Sequence, residues 1–252
     1  MVIRRPVADL VRRFYPNYRG ETAVLRDQVL AVLSPAHVVL DVGCGNGSMT
    51  SLDFKSQCKM VVGVDVCNDL KANSSLHHAV SGTLESIPLQ SGSVDLVLCR
   101  YVVEHLPYPL GVFREFFRVL RDGGRIVLLT PNRWHYVSLI SRFSPFRFHR
   151  WFNSLYGVAE KDTFPTFYRA NSQGHILRLA EQSGLRVVVL QMLETSPNYL
   201  EFSRILYRVG IAYERLVNRW AVLAPFRVNI VATLKKPVTP FCENFPQDGR
   251  RT

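Results

Sequence analysis

The chain has 252 residues, of which 47% are hydrophobic and 20% are charged, and its formal net charge is +11. This composition is typical of a folded enzyme and excludes a disordered protein, and no apolar run reaches the ~18 residues of a membrane-spanning helix. Because residues 1–6 lack the apolar segment of a secretory signal and the five cysteines form no C-x-x-C pair, we expect a cytoplasmic protein with reduced thiols.

The positive charge is unevenly distributed along the chain. Residues 33–132 hold 8 Lys/Arg and 9 Asp/Glu, whereas residues 133–252 hold 17 and 8, and residues 1–32 hold 6 and 3. The basic segments indicate an anionic partner, which could be an acidic small molecule, a lipid headgroup or a nucleic acid. A solvated basic face would give the same composition.

Hydrophobic periodicity predicts helices alternating with strands. We expect helices at 5–14 and 22–33, which together form an N-terminal helical cap over residues 1–33. Strands follow near 38–42, 60–65, 77–80, 94–99 and 125–130, separated by helical stretches, and a helix from Asn171 to Gly184 precedes strands at 186–190 and 228–233. This order predicts an α/β fold with a three-layer, Rossmann-like seven-stranded sheet and helices on both faces. Residues 237–252 are predicted to form a flexible tail.

The first of these strands leads into a glycine-rich loop. An apolar segment ends in Asp41 and is followed by Gly43, Gly45 and Gly47. Glycine lets a ligand approach the backbone closely, and the amides at the start of a following helix can hold a carboxylate. Since the third place after Gly45 is Ser48, the dinucleotide fingerprint G-x-G-x-x-G is not met. The pattern therefore favours S-adenosylmethionine over NAD.

The second strand also ends in an acid. Asp65 lies 18 residues after Gly47, close to the spacing at which a carboxylate meets a ribose diol. Asp65 is the predicted ribose ligand.

With these two strands in place, the chain resembles the class I S-adenosylmethionine-dependent methyltransferases, in particular a type 11-like methyltransferase domain. The resemblance rests on VLDVGCGNG at 39–47 and continues through the segments 85–89, 93–97, 103–106 and 119–125. It covers residues 30–132 well and the remainder loosely. It implies that the last strand is antiparallel and that the domain spans 34–236, with insertions at about 133–171 and 195–226.

The resemblance also implies a set of cofactor-binding residues. The methionyl part is expected near Asp41, Gly43, Cys44, Gly45 and Gly47, the ribose at Asp65, the adenine at Val66, Thr83 and Leu84, and the methionyl ammonium near Cys99 and Arg100. Thr83 occupies the place where many relatives carry an acid, so that the Leu84 amide becomes the alternative partner of the adenine. Ordinary packing is the alternative explanation for Val66, Leu84 and Cys99.

Methyl transfer from a sulfonium needs no protein nucleophile, but an oxygen acceptor benefits from a general base. His105, after the fourth strand, and His135, after the fifth, are the two candidate catalytic residues. His105 could alternatively orient a loop, and His135 could be an ordinary loop histidine. No spacing of acids or histidines indicates a metal site, so we predict a metal-independent reaction.

The insertion after residue 132 mixes aromatic residues with arginines, which can stack on an acceptor and bind its acidic groups. Tyr136, Arg147, Tyr168 and Arg169 are the predicted acceptor contacts. A satellite apolar cluster with arginines at its rim is the alternative.

A second insertion contains an amphipathic helix, predicted at 201–222. Its arginines fall on one arc and its apolar side chains on the other side; the arginines are 204, 208, 215 and 219, and the apolar residues are 202, 205, 206, 209, 213, 216 and 220. Such a helix could meet anionic lipid as a peripheral membrane contact, or it could form a lid over the pocket.

Three functions remain open from the sequence. The first is methyl transfer to a small-molecule, saccharide or lipid-linked acceptor, with oxygen the expected target. The second is nucleic-acid methylation, which the charge favours, but the segment after the fourth strand lacks the Asn/Asp-Pro-Pro-aromatic turn of amino-group base methylases. The third is a noncatalytic S-adenosylmethionine-binding module. We expect the first.

Overall fold

A computed structural model of the chain describes residues 5–47, 52–67, 69–143 and 164–238. A seven-stranded sheet forms its centre. The strands are β1 (Val38–Val42), β2 (Met60–Asp65), β3 (His78–Ser81), β4 (Val94–Arg100), β5 (Leu120–Pro131), β6 (Arg186–Leu193) and β7 (Asn229–Lys235).

The strand order is β3-β2-β1-β4-β5-β7-β6. Strands β1 to β5 pair in parallel, whereas β7 is antiparallel to both β5 and β6. The Rossmann-like sheet and its antiparallel last strand are thus confirmed. Because β1, β2 and β4 end at one edge, the residues that follow them come together there.

Helices cover both faces of the sheet. They are α1 (Ala8–Phe14), α2 (Glu21–Leu30), α3 (Pro109–Val119), α4 (Tyr136–Phe143), α5 (Gln173–Gln182) and α6 (Arg204–Arg219). Alternate residues of each strand point to opposite faces, so that Leu40 joins the core under α3 and α5 while Val39 joins the core under α2. This arrangement confirms the predicted three layers.

The first helix packs away from the sheet, against α6. Val7, Leu10 and Val11 form a small buried cluster with Tyr207 and Ile211. The connection that contains α6 leaves β6 and returns to β7, and both ends of it lie at the edge where β4 and β5 end. The helix α6 therefore belongs to the same edge of the sheet as the glycine loop.

The connections between the first strands are less helical than predicted. Residues 53–59 form turns rather than a helix, and residues 48–51, where a helix was expected to begin after the glycine loop, lie outside the described residues. Among the described residues between β2 and β3, a 3-10 turn at Leu70–Ala72 is the one helical element, and those between β3 and β4 form no helix. The amphipathic helix is also shorter than predicted, since it begins at 204 and ends at 219.

Candidate active site

The loop after β1 rests on glycines with left-handed backbones. The φ angles of Gly43, Gly45 and Gly47 are 64°, 52° and 78°. A Cβ at Gly43 would overlap the side chain of Val102, and the Gly43 amide donates to the Val64 carbonyl at 2.9 Å. Beside Gly45, by contrast, no atom of a described residue other than its chain neighbours lies within 4 Å of the position of a Cβ. The loop is therefore fixed to the sheet and leaves its backbone open to a ligand at Gly45.

Asn73 holds the other side of this loop. Its side chain is only 6% exposed, and its Nδ2 donates to the carbonyls of Cys44 and Gly45 at 3.1 and 3.3 Å. A Cβ at Gly47 would lie 2.9 Å from the Asn73 Cα, which no real Cβ tolerates. Asn73 and the glycines thus fit together as one unit.

Asp65 connects the end of β2 to the same loop. Its Oδ2 accepts from the Gly45 amide at 2.8 Å, and its Oδ1 accepts from the Cys67 amide at 2.9 Å. A carboxylate has about four lone-pair positions, so acceptor capacity remains for a ligand hydroxyl. The carboxylate therefore lies against the loop with the chemistry that a ribose diol requires.

Asp41 and Arg100 place charge beneath the loop. Burial raises the pKa of Asp41 to about 7, while Arg100 lowers it and Asp65 raises it. The Nε of Arg100 is buried and has no hydrogen-bond partner among the described residues. A buried donor without a hydrogen-bond partner lowers the free energy of unfolding, so a ligand that accepts from it would be favoured. The strand ends thus offer both an acidic group and a free donor to a ligand that carries ammonium and carboxylate groups.

A buried network joins the ends of β4 and β5 to the segment at 164–171. Thr130 donates to Glu104 at 3.1 Å, and the Asn171 Nδ2 donates to the Thr130 hydroxyl oxygen at 2.6 Å. The backbone carbonyl of Glu104 accepts from the amides of Phe167 and Tyr168 at 2.7 and 3.2 Å. Burial raises the pKa of the Glu104 carboxyl to about 7. These contacts fix the segment against the sheet edge.

The same segment determines the tautomer of His105. The His105 Nδ1 lies 2.9 Å from the carbonyl oxygen of Pro165. Because a carbonyl only accepts, Nδ1 carries the hydrogen, and the neutral ring keeps a lone pair on Nε2. Burial lowers the pKa of the half-buried imidazole, which favours this neutral form near pH 7. His105 is thus oriented as a proton acceptor.

An exposed aromatic surface surrounds His105. Phe164 contacts the imidazole edge to face at 5.9 Å between ring centroids. The Arg169 guanidinium lies over Tyr108 and Phe167 at 5.9 and 5.8 Å, and it donates to the Pro107 carbonyl at 2.6 Å. Planar rings beside a cation form a surface that suits a flat or acidic ligand.

His135, in contrast, is buried beneath α6. Its side chain is 1% exposed and contacts Tyr136 and Tyr213 at 4.1 and 5.7 Å between ring centroids. Its Nε2 lies 3.5 Å from Glu194, but burial lowers the pKa of His135 to about 3 and raises that of Glu194 to about 8. Both groups are therefore neutral at pH 7, and this contact is not an ion pair.

This geometry agrees with the similarity to known proteins. A methyltransferase-domain family model matches residues 40–128, the span from the glycine loop to β5. The chain contains a class I S-adenosylmethionine-dependent methyltransferase domain. S-adenosylmethionine is the methyl donor of this family.

Two similar proteins are O-methyltransferases by name. The chain is 33% identical over 135 residues to a malonyl-[acyl-carrier protein] O-methyltransferase of Marinomonas sp. (strain MWYL1), a match that covers 50% of each chain. It is 34% identical over 117 residues to a ubiquinone biosynthesis O-methyltransferase of Xanthomonas axonopodis pv. citri (strain 306), covering 42% of this chain and 48% of that protein. The chain thus spans about half the length of the curated relatives it matches.

Solved structures share the fold of this chain. A geranyl diphosphate C-methyltransferase from Streptomyces coelicolor A3(2) gives a TM-score of 0.54 at 15% identity, covering 85% of this chain and 79% of that one. A [4+2]-cyclase also gives 0.54, at 14% identity, covering 86% and 80%. Since a cyclase has the same fold, the fold alone does not specify the reaction.

The fold places most of the predicted cofactor residues together at one sheet edge. Cys44 and Cys99 flank Asp41 there, and burial raises the pKa of the Cys44 thiol to about 12, so it stays protonated. Val66 is 58% exposed beside this site, and Thr83 is exposed, whereas Leu84 packs on the core. Arg147 lies outside the described residues. The binding roles of all these residues stay predictions.

Three contributors to the site were not predicted from the sequence. Asn73, Glu104 and Asn171 each act through partners more than 20 residues away along the chain. Of these three residues, only Glu104 lies in a segment that the sequence analysis singled out, because it directly precedes His105 in the segment 103–106. No group of three or more His, Cys, Asp or Glu side chains within the described ranges could hold a metal ion.

Proposed function

We propose that the chain transfers the methyl group of S-adenosylmethionine to an oxygen of a small-molecule, saccharide or lipid-linked acceptor. The names of the two O-methyltransferase relatives support oxygen as the target. Because the match spans only half of those proteins, the acceptor and the activity of the whole chain belong to the proposal.

The residues of the site fit the cofactor. The open backbone at Gly45 would lie against the cofactor, and the remaining acceptor capacity of Asp65 would take its ribose. The Arg100 Nε, which has no partner among the described residues, would donate to its methionyl part. When bound, S-adenosylmethionine supplies an electrophilic methyl group. The chain then has to orient the acceptor, accept its proton and exclude water.

The observation that carries the proposal is the contact between His105 and Pro165. The Nδ1 hydrogen is committed to the carbonyl at 2.9 Å, which leaves the Nε2 lone pair to accept a proton from an acceptor hydroxyl. His105 is our candidate general base. The network of Glu104, Thr130 and Asn171 positions it by fixing the segment that contains Pro165.

Burial favours a different role for His135. A ring that is 1% exposed, with a pKa lowered to about 3, accepts a proton poorly and cannot reach an acceptor without moving. We propose that His135 positions α4 and α6 through Tyr136 and Tyr213.

The acceptor would lie on the aromatic surface around His105. We propose that Arg169 binds an acidic or polar group of the acceptor, because only one of the five donors of its guanidinium has a partner in the contacts described above. Tyr136, Tyr168 and Arg147 remain proposed acceptor contacts. The backbone of Tyr168 has a φ of 52°, an uncommon left-handed geometry that is concentrated at functional sites.

A labelling experiment tests the reaction class. Extracts of small molecules and lipids are incubated with the protein and methyl-deuterated S-adenosylmethionine, and products with the added mass are identified. We expect the label on an oxygen of a small or lipid-linked molecule. Label on nucleic acid, or on nitrogen or carbon, would refute the proposed acceptor class.

The product found in this way allows a test of His105. The His105→Gln variant should lower kcat by about 10²-fold or more without changing cofactor affinity. It should also remove the acidic limb of the kcat/KM profile, which reports protonation of the imidazole whose pKa burial lowers. The control is His78→Gln, an exposed histidine on β3. If the acidic limb persists in the His105 variant, His105 is not the base.

A further inference from the structure

The helix α6 has an exposed apolar face that the fold leaves uncovered. Its core side consists of Tyr207, Gly210, Ile211, Glu214 and Val217. The apolar residues that the sequence pattern places on one arc of the helix face the solvent instead, since Ile205 is 72% exposed and Val209 is 60% exposed. Further exposed apolar side chains continue this face and the turn after it: Phe202, Leu206, Leu216, Trp220, Val222 and Phe226.

This face carries positive charge at its border and no exposed acid. Residues 202–226 contain four arginines and one acid, Glu214. Glu214 is buried and accepts from Tyr15 and Asn218 at 3.1 and 2.7 Å, so it forms no part of the exposed face. The region is therefore apolar and basic at once.

Two of the four arginines are engaged by the fold. Arg204 pairs with Asp9 at 2.6 Å, and Arg215 lies 3.3 Å from Glu214. Arg208 and Arg219 are exposed, and among the described residues neither side chain forms a hydrogen bond or an ion pair. Arg219 lies over the Trp220 ring at 5.9 Å, at the end of the helix. A tryptophan and arginines beside aliphatic side chains are typical of helices that lie in a membrane interface.

We infer that the exposed face of α6, formed by residues 205, 209, 216, 220 and 222, docks on an anionic lipid bilayer, with Arg208 and Arg219 against the headgroups. Charge complementarity selects this occupant, because the apolar surface enters the acyl boundary while the arginines meet anionic lipid. The helix lies at the sheet edge that holds the glycine loop, so docking would direct this edge to the membrane. Docking would thereby bring the site close to a lipid-linked acceptor in the bilayer, and this consequence rests on the proposed function.

Vesicle binding tests the docking surface directly. Full-length protein is sedimented with vesicles of phosphatidylcholine alone or with about 30% phosphatidylglycerol. We expect binding to the anionic vesicles that weakens as salt rises from about 0.1 to about 0.5 M. Leu216→Glu, and separately the pair Arg208→Glu and Arg219→Glu, should each lower the partition coefficient by at least about tenfold.

Matched controls lie on α5. Leu177 is an exposed leucine and Arg178 an exposed arginine, and neither belongs to the site described above. Leu177→Glu and Arg178→Glu should therefore bind vesicles as the unmodified protein does. Thermal melting verifies that every variant is folded.

Three results would overturn the inference. They are the absence of binding to anionic vesicles, unchanged binding of the α6 variants, and a dimer in solution that Leu216→Glu converts to a monomer, which would assign the face to a second copy. Cofactor affinity measured by calorimetry is independent of all three. A failure of the docking surface is therefore distinguishable from a failure of the proposed reaction.

Discussion

Replacing Asn73 by aspartate tests whether the side chain holds the glycine loop in its binding shape. The variant preserves size and the Oδ1 that accepts from the Ser75 amide at 3.1 Å. It removes the Nδ2 donor and directs a carboxylate oxygen at the carbonyls of Cys44 and Gly45. The change is therefore confined to the two contacts that join Asn73 to the loop.

The expected magnitude follows from these two hydrogen bonds. Each contributes about 0.5–1.5 kcal/mol, so their loss costs about 1–3 kcal/mol, and repulsion between the carboxylate and the carbonyls adds to it. If the loop must be ordered before it binds, this cost appears in the dissociation constant. We expect S-adenosylmethionine affinity to fall by about 10- to 100-fold.

Calorimetric titration with S-adenosylmethionine measures the effect, and thermal melting of the free protein verifies folding. The variant Asn73→Gln is a useful comparison, because it keeps the donor but lengthens the side chain in a site where Asn73 is almost fully buried. It should lose affinity through overpacking. If Asn73→Asp binds the cofactor within about twofold of the unmodified protein, the side chain does not organise the loop.

Three other outcomes are expected. Asp65→Ala should weaken S-adenosylmethionine binding more than about tenfold, since charge-assisted bonds worth about 1.5–3 kcal/mol are lost, and unchanged affinity in calorimetry would remove the ribose assignment. Burial raises the pKa of Glu194 to about 8, so its contribution to folding stability is present below its unfolded pKa of about 4.3 and is lost as the pH rises through 8. Glu194→Gln, which can still accept from the Val228 amide, should flatten this loss in melting curves recorded between about pH 5 and 9, and a parallel profile would contradict the reasoning. Methyl transfer should continue after chelation of divalent metal ions, and a requirement for added magnesium would show the metal-independence prediction to be wrong.

The strands and the glycine loop were predictable because their signals are local. An apolar run that ends in Asp41 or Asp65 is recognisable within a few residues, and the structure places both strands at the predicted positions. The start of β5 was missed, since Leu120–Gly124 carries two charges and two glycines and joins the sheet through an irregular pairing with β4. Such a segment has no strand periodicity.

The orientation of α6 was not predictable from its periodicity. The sequence shows a basic arc and an apolar arc, and such a pattern predicts that the apolar arc is buried. The structure instead buries Tyr207, which packs on the apolar side chains of α1, together with Glu214, and it leaves Ile205 and Val209 in solvent. A buried acid is tolerated here because it accepts hydrogen bonds from Asn218 on the same helix and from Tyr15, which is 199 residues away along the chain.

The antiparallel β7 separates the edge strand β6 from the five parallel strands, and the two parts differ in their freedom to change. The segment between β6 and β7 leaves and re-enters at one edge, so residues can be gained or lost there without shifting the register that pairs Leu129 with Val231. The glycine loop, in contrast, is fixed by β1, β2 and Asn73 among the parallel strands. Descendants of this chain can therefore exchange the surface that selects a partner while they inherit the cofactor loop unchanged.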